Sequence, residues 1–176
     1  TDREKYDGDD VGFWMNYNRR RMIVYGFHPE RAAEHAPQVQ EYMDNQEPEN
    51  RLFPDAISTM QTFRQRGLTV GLVSNRTNPI DDLLVEMGLG EHLDFYLISR
   101  DVNAWKPDPA IFGHALQRSG TAPQETVYVG DNYFADVVGA RRADLHPVLV
   151  DPLGVFDEPG CPVISNLEQV IPLVES

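Results

Sequence analysis

Thr126-Val127-Tyr128-Val129-Gly130-Asp131-Asn132-Tyr133-Phe134-Ala135-Asp136 is an apolar run that breaks at a glycine into a polar turn with an acid at either end. The run reads as a buried strand, and Phe134, Val137 and Val138 beyond the turn recur as on one face of a helix. Gly130 permits a sharp turn, and Asp131 and Asp136 bracket the start of that helix. A strand feeding a helix in this way is the repeating unit of a parallel sheet, where ligands gather at the carboxyl ends of the strands. Two carboxylates at such an end can approach one hard cation; an acid there is equally a helix cap.

The same alternation extends to both sides. Leu68 to Ser74 reads as a strand, preceded by a helix through Ala56, Ile57, Met60 and Phe63 that stops at Arg66-Gly67. Pro79 opens a helix with Ile80, Leu83, Leu84 and Met87 on one face and Gly88 as its stop. Phe95 to Ser99 is the next strand, and Asp108-Pro109 opens a helix that turns Ile111, Phe112, Ala115 and Leu116 inward. Pro147 to Asp151 makes a last core strand, and the tail from Asn166 reads as a short helix containing Pro172. Residues 1–50 carry no strand signal: Phe13, Trp14, Tyr17, Met22 and Tyr25 fall on amphipathic faces, and Pro29-Glu30 starts a second helix. The expected organisation is a helical region over 1–50 and an α/β region over 51–176, with Asn45 to Arg51 as the hinge.

Composition narrows the partners. A chain of 176 residues with 41% hydrophobic and 24% charged residues is built like a globular domain with a small insertion. Its net charge of −13 disfavours nucleic acid and anionic membrane surfaces, so a small anionic substrate must rely on local cations or a metal. Cys161 is the single cysteine, which rules out an internal disulfide and a cysteine-rich zinc site and fits a reducing, cytoplasmic setting. No stretch is apolar enough for a membrane span, and the oligomeric state is not set by the sequence.

Three strand ends carry candidate chemistry. Leu72-Val73 runs into Ser74-Asn75, where a hydroxyl and a backbone amide can hold an anionic oxygen, although serine also caps helices. Arg76 and Thr77 follow directly and are placed to line the same pocket. Lys106, between Trp105 and Pro107, can hold a fixed ammonium over an anion; a lone lysine is otherwise a solvated surface group. Asp131 and Asp136 complete the set.

In this order, Ser74-Asn75, Lys106-Pro107-Asp108-Pro109-Ala110-Ile111-Phe112 and Tyr128 through Ala140 resemble the second, third and fourth motifs of the haloacid dehalogenase-like superfamily. The resemblance implies a Rossmann-like, doubly wound parallel sheet with a small helical cap, here Tyr6 to Asn50. It further implies a Mg²⁺-dependent phosphate monoester hydrolase acting on a small phosphorylated metabolite through an aspartyl-phosphate. On that resemblance Ser74 binds the transferring phosphoryl group, with Asn75 and Arg76 beside it. Lys106 compensates charge, Asp131 binds the metal, and Asp136 either supports the metal or orients Lys106.

The family's first motif, a hydrophobic strand ending in Asp-x-Asp-Gly-Thr that carries the nucleophile, has no match here. Asp7-Gly8-Asp9-Asp10 has the acids without a strand before them and reads as a loop or helix cap. Val148-Leu149-Val150-Asp151 has the strand but lacks the second acid and lies after the fourth motif. The expectation is a missing central strand between the strands that end at Ser74 and at Gly130, so that residues 1–176 alone are inactive. Two other readings stay open, a non-catalytic relative that binds without turnover and a haloacid dehalogenase. The latter is disfavoured because such enzymes lack the first acid of the fourth motif, here Asp131. Arg19, Arg20 and Arg21 read as a solvated helix face that can also contact an anionic substrate.

Overall fold

The computed structural model describes residues 9–46 and 49–174. The chain divides into two compact units, one ending at Arg51 and the other running from Leu52. In the first unit, α1 (Asp10–Val24) and α2 (Pro29–Asp44) form a helical hairpin. The Asp9 carboxylate caps α1 by accepting the Gly12 N–H at 2.8 Å, and Pro29 occupies the first turn of α2. Phe13, Tyr17 and Met22 on α1 and Ala32 and Ala36 on α2 are buried, and the buried Asn18 donates its amide to Gln40 Oε1 at 2.7 Å. Asp9 is therefore a cap rather than a strand end; Asp7 and Gly8 lie outside the described residues.

The second unit alternates helices and strands. Its order is α3 (Ala56–Gln65), β1 (Gly71–Ser74), α4 (Asp81–Glu86), β2 (Phe95–Ile98), α5 (Ser99–Val102), α6 (Pro109–Ser119) and β3 (Val127–Gly130). A single π turn (Tyr133–Val137) then leads into α7 (Val138–Arg142), followed by β4 (His146–Val150), β5 (Val163–Ile164) and a 3₁₀ segment (Leu167–Val174). All the strand pairs are parallel: β1 with β2, β3 with β4, and β4 with β5.

Successive side chains pass to opposite faces, and each face is covered. Val73, Leu97 and Tyr128 pack with Ile111, Phe112 and Ala115 of α6 and Ala140 of α7. Leu72 and Ile98 meet Ile57, Met60, Ile80 and Leu84 of α3 and α4 on the other face, where Val127, Val129, Val148 and Val150 also meet Phe63, Leu167 and Val170. This is the Rossmann-like arrangement read from the sequence.

Beyond shifts of a single residue at the ends of β2, β3 and β4, the structure differs from the sequence reading in several places. The first strand begins at Gly71 rather than Leu68, because the Val70 N–H is taken by the Asp94 carboxylate at 2.8 Å before the ladder starts. The helix after it begins at Asp81, so Pro79 lies outside it. The short β5 was not anticipated; two residues carry too little pattern, and pairing with β4 alone defines them.

The strands form a two-stranded sheet, β1-β2, and a three-stranded sheet, β3-β4-β5. Among the described residues no strand pairs with the remaining edges of β1 and β3, where the sequence reading places a further strand. Those two edges face each other, since the Tyr128 hydroxyl on β3 lies 3.5 Å from the Val73 carbonyl on β1.

A close approach locks α7 to the turn that carries Lys106. A Cβ at Gly139 would stand 2.7 Å from Phe112 Cε2 and 3.0 Å from Pro107 Cα. Backbone at Pro107 cannot yield as a side-chain tip can, so Gly139→Ala is expected to cost about 1–3 kcal/mol. The drop in thermal midpoint should be partly restored by adding Phe112→Leu, which vacates the ring's far edge.

Candidate active site

Lys106 connects the two sheets at their carboxyl ends. Its backbone is fixed first: Asn75, just past β1, accepts the Lys106 N–H at 2.7 Å through Oδ1 and donates Nδ2 to the Lys106 carbonyl at 2.9 Å. The buried Ser99, at the end of β2, braces that amide with its hydroxyl 3.0 Å from Asn75 Oδ1. The Lys106–Pro107 peptide is cis, and Asp108 caps α6 immediately beyond. From this base the side chain reaches inward, where Nζ donates to the Asp136 carboxylate at 2.7 Å and to the Val73 carbonyl at 3.2 Å.

Asp136 is held from its other side by the turn. Oδ2 accepts the Asn132 N–H at 2.9 Å while Oδ1 faces Lys106, and the side chains of the pair are only 5% and 12% exposed. The Asn132 side chain in turn accepts the Ala135 N–H at 3.1 Å and starts the π turn. Each oxygen of Asp136 therefore already has a donor. Through Oδ1 it orients the Lys106 ammonium.

Burial works against the Lys106 charge, and the Tyr128 hydroxyl and Asp136 carboxylate facing it work for it and prevail. Its pKa is held above the ordinary lysine value. Burial likewise pushes the Tyr128 hydroxyl up, so it is neutral near pH 7 and Asp136 is the counter-charge acting there. The ammonium is thus charged across the physiological range. Its position beside the Tyr128 ring, 5.6 Å from the centroid, adds a weak cation–π contact.

Ser74 and Asp131 complete the constellation from opposite sheets. Ser74 ends β1 half-buried, and its hydroxyl has no hydrogen-bond partner among the described residues. Asp131 follows β3, is exposed, and its carboxylate is likewise without a hydrogen bond or ion pair among them. Ser74, Asn75, Lys106 and Asp136 are thus brought to one locus, with Asp131 at the head of the turn that holds Asp136. The Asn75 side chain is committed to the Lys106 backbone, which leaves its own N–H for an anion. Arg76 is exposed just past Asn75, and its carbonyl accepts the Arg100 N–H at 3.3 Å. Arg19, Arg20 and Arg21 lie on α1 in the other unit, with Arg19 donating to Asn16 Oδ1 at 3.0 Å.

Tyr128 and Ser99 were missed by sequence reasoning. Each is a polar residue inside or ending an apolar strand, which is the signal that was present; their partners, far along the chain, were not visible. No group of three or more His, Cys, Asp or Glu side chains that can hold a metal occurs among the described residues, and no helix among them is long and apolar enough to cross a membrane.

Comparison with known proteins places this geometry. The model of haloacid dehalogenase-like hydrolases matches residues 2–150. Haloacid dehalogenase-like hydrolase domain-containing protein 3 of Mus musculus is 36% identical over 126 residues, covering 68% of this chain and 50% of that protein. Phosphoserine phosphatase of Thermus thermophilus is 41% identical over 137 residues, 76% of this chain and 52% of the relative. The chain thus spans about half the length of these curated relatives. Among solved structures, a HAD phosphatase from Thermococcus onnurineus superposes with a TM-score of 0.67 at 21% identity, covering 93% of this chain and 89% of that one. Because the matched span takes in all three strand ends that meet at Lys106, the chain belongs to the haloacid dehalogenase-like hydrolase family.

Proposed function

We propose that this chain forms part of a Mg²⁺-dependent phosphate monoester hydrolase acting on a small phosphorylated metabolite in the cytoplasm. The observation that carries the reading is the buried Lys106 ammonium, charged and fixed by Asp136 at 2.7 Å where the ends of β1 and β3 converge. A cation held this rigidly stabilises an anionic transition state without reorganising as the reaction proceeds. The similarity to a phosphoserine phosphatase supports phosphoryl transfer as the reaction class.

In this reading the attacking carboxylate comes from a strand lying between β1 and β3. Its oxygen bonds to phosphorus as the ester P–O bond breaks, and a second carboxylate protonates the leaving alkoxide and then activates water to hydrolyse the aspartyl-phosphate. Ser74 donates its free hydroxyl to a phosphoryl oxygen, beside the Asn75 N–H and the exposed Arg76. Lys106 neutralises charge on the transferring group, and Asp136 keeps the ammonium aimed. The hairpin α1–α2 serves as the cap that helps select substrate.

Asp131, an unengaged carboxylate at a strand end, fits one position on a hard cation. Bound there, Mg²⁺ would supply charge neutralisation between nucleophile and phosphate. A dehalogenase has no need of such a carboxylate, which favours the phosphatase reading. With so few oxygen ligands among the described residues, the 176-residue chain by itself is expected to bind Mg²⁺ only weakly. Calorimetry showing tight binding by this chain would contradict the ligand assignment. The function itself is tested with p-nitrophenyl phosphate and phosphoserine on the complete protein: turnover should appear with Mg²⁺ and vanish with chelator, and no turnover of any phosphate monoester would leave a binding protein.

A further inference from the structure

The proposed reaction makes no use of the loop between β4 and β5, yet that loop is built onto the Asp131 turn. Its near end is wound around Asp151, whose carboxylate accepts the Phe156 N–H at 2.8 Å. The backbone N–H groups of Phe156, Val155, Gly154 and Leu153 together hold the Asp151 carboxyl below the ordinary carboxylate range. Winding on this anchor projects Leu153 and Val155 outward, 85% and 69% exposed, while Phe156 is half-buried.

The far end is fixed to the turn. The Tyr133 ring stacks on Phe156 with centroids 5.2 Å apart and planes 23° from parallel. Its hydroxyl donates to the Pro159 carbonyl at 3.3 Å, and Arg141 reaches that carbonyl at 2.9 Å and the Tyr133 oxygen at 3.5 Å. Gly160 completes the clasp: its φ is +73°, and a Cβ there would stand 3.1 Å from Arg141 Nη2. Tyr133 and Arg141 thus grip the loop from the first residue of the π turn and from the last turn of α7.

Tyr133 is two residues beyond Asp131, and Asn132 between them is pinned by its hydrogen bonds to Asp136 and Ala135. The Asp131 carboxylate has no partner of its own among the described residues, so its position is set by this backbone alone. We propose that Tyr133 is a positioning residue that couples the β4–β5 loop to Asp131, so that a cation on Asp131 orders the loop and the clasped loop in turn steadies Asp131. The inference rests on Asp131 being the metal-binding carboxylate of the proposed function. Partners that orient a ligand to a metal typically change affinity by ~10–100-fold when removed.

The test is amide hydrogen exchange on the complete protein with and without Mg²⁺, on wild type, Tyr133→Ala and Arg141→Met. Arg141 is exposed, and methionine keeps its stem while removing its bonds to Pro159 and Tyr133, so this variant should fold even if Tyr133→Ala does not. Wild type should gain protection at residues 131–133 and at 153–160 together, and either variant should keep the first and lose the second. The Mg²⁺ concentration giving half-maximal turnover should rise about tenfold in the variants. Protection confined to 131–133 in wild type would overturn the coupling and leave the proposed function standing. No Mg²⁺-dependent protection at 131–133 would overturn both. Protection of the loop undiminished in both variants would overturn the role of the clasp.

Discussion

Asp131→Asn is expected to lower phosphate-ester turnover of the complete enzyme by roughly 10²-fold or more while leaving its thermal midpoint essentially unchanged. The expectation follows from what the carboxylate touches. Asp131 is exposed and makes no hydrogen bond or ion pair among the described residues, so amidation removes a charge without unpacking a neighbour or orphaning a donor. Surface changes of that kind usually stay within about 0.5 kcal/mol of the wild-type stability. The Mg²⁺ concentration needed for residual turnover should rise as well, because an amide oxygen is a weaker ligand for a hard cation than a carboxylate. Near-normal turnover of p-nitrophenyl phosphate by this variant would remove Asp131 from the site. A large fall in midpoint would show instead that the carboxylate is a structural cap.

Much of this arrangement was legible in the sequence because it is local. An apolar run ending in Gly130-Asp131 and another ending in Ser74 state their own strand ends, and Asp108-Pro109 states a helix start that the structure shows with Asp108 as its cap. What was illegible depends on contacts across many residues. Nothing in Ser74-Asn75 announces that the Asn75 side chain is committed to the backbone of Lys106, 31 positions away. Tyr128 looks like one more β-forming aromatic until the fold sets its hydroxyl beside both Lys106 and the Val73 carbonyl. The π turn is similarly hidden: nothing in Tyr133-Phe134-Ala135 announces it, and it arises where Asn132 and Asp136 bond each other's backbone and side chain. The open edges of β1 and β3 go the other way, since the sequence already placed a strand between them and the structure leaves both edges unpaired among the described residues.

The largest effect is expected at the Lys106–Asp136 pair, and single and double substitutions should behave oppositely. With side chains only 12% and 5% exposed, each ion depends on the other for its tolerance of burial. Lys106→Met leaves a buried carboxylate facing no cation. Asp136→Leu leaves a buried ammonium with only the Val73 carbonyl and the neutral Tyr128 hydroxyl and also frees the Asn132 N–H. Each single change should cost about 3–5 kcal/mol, a large share of a domain's ~5–15 kcal/mol. The double variant Lys106→Met with Asp136→Leu should recover most of that loss, because no uncompensated ion remains, yet its turnover should stay down by roughly 10²-fold or more, because the fixed cation is gone. The pH dependence has a definite sign. Since the folded pKa of Lys106 is raised above the unfolded value of about 10.4, the stabilisation is fully present below that value and is lost only as pH rises through the raised folded value. The stability gap between wild type and the double variant, which carries neither ion, should therefore be flat from pH 6 to 9 in denaturant titrations. A gap that closes within that window would mean Lys106 is not charged there, and a double variant as unstable as the singles would mean the pair acts through packing rather than charge.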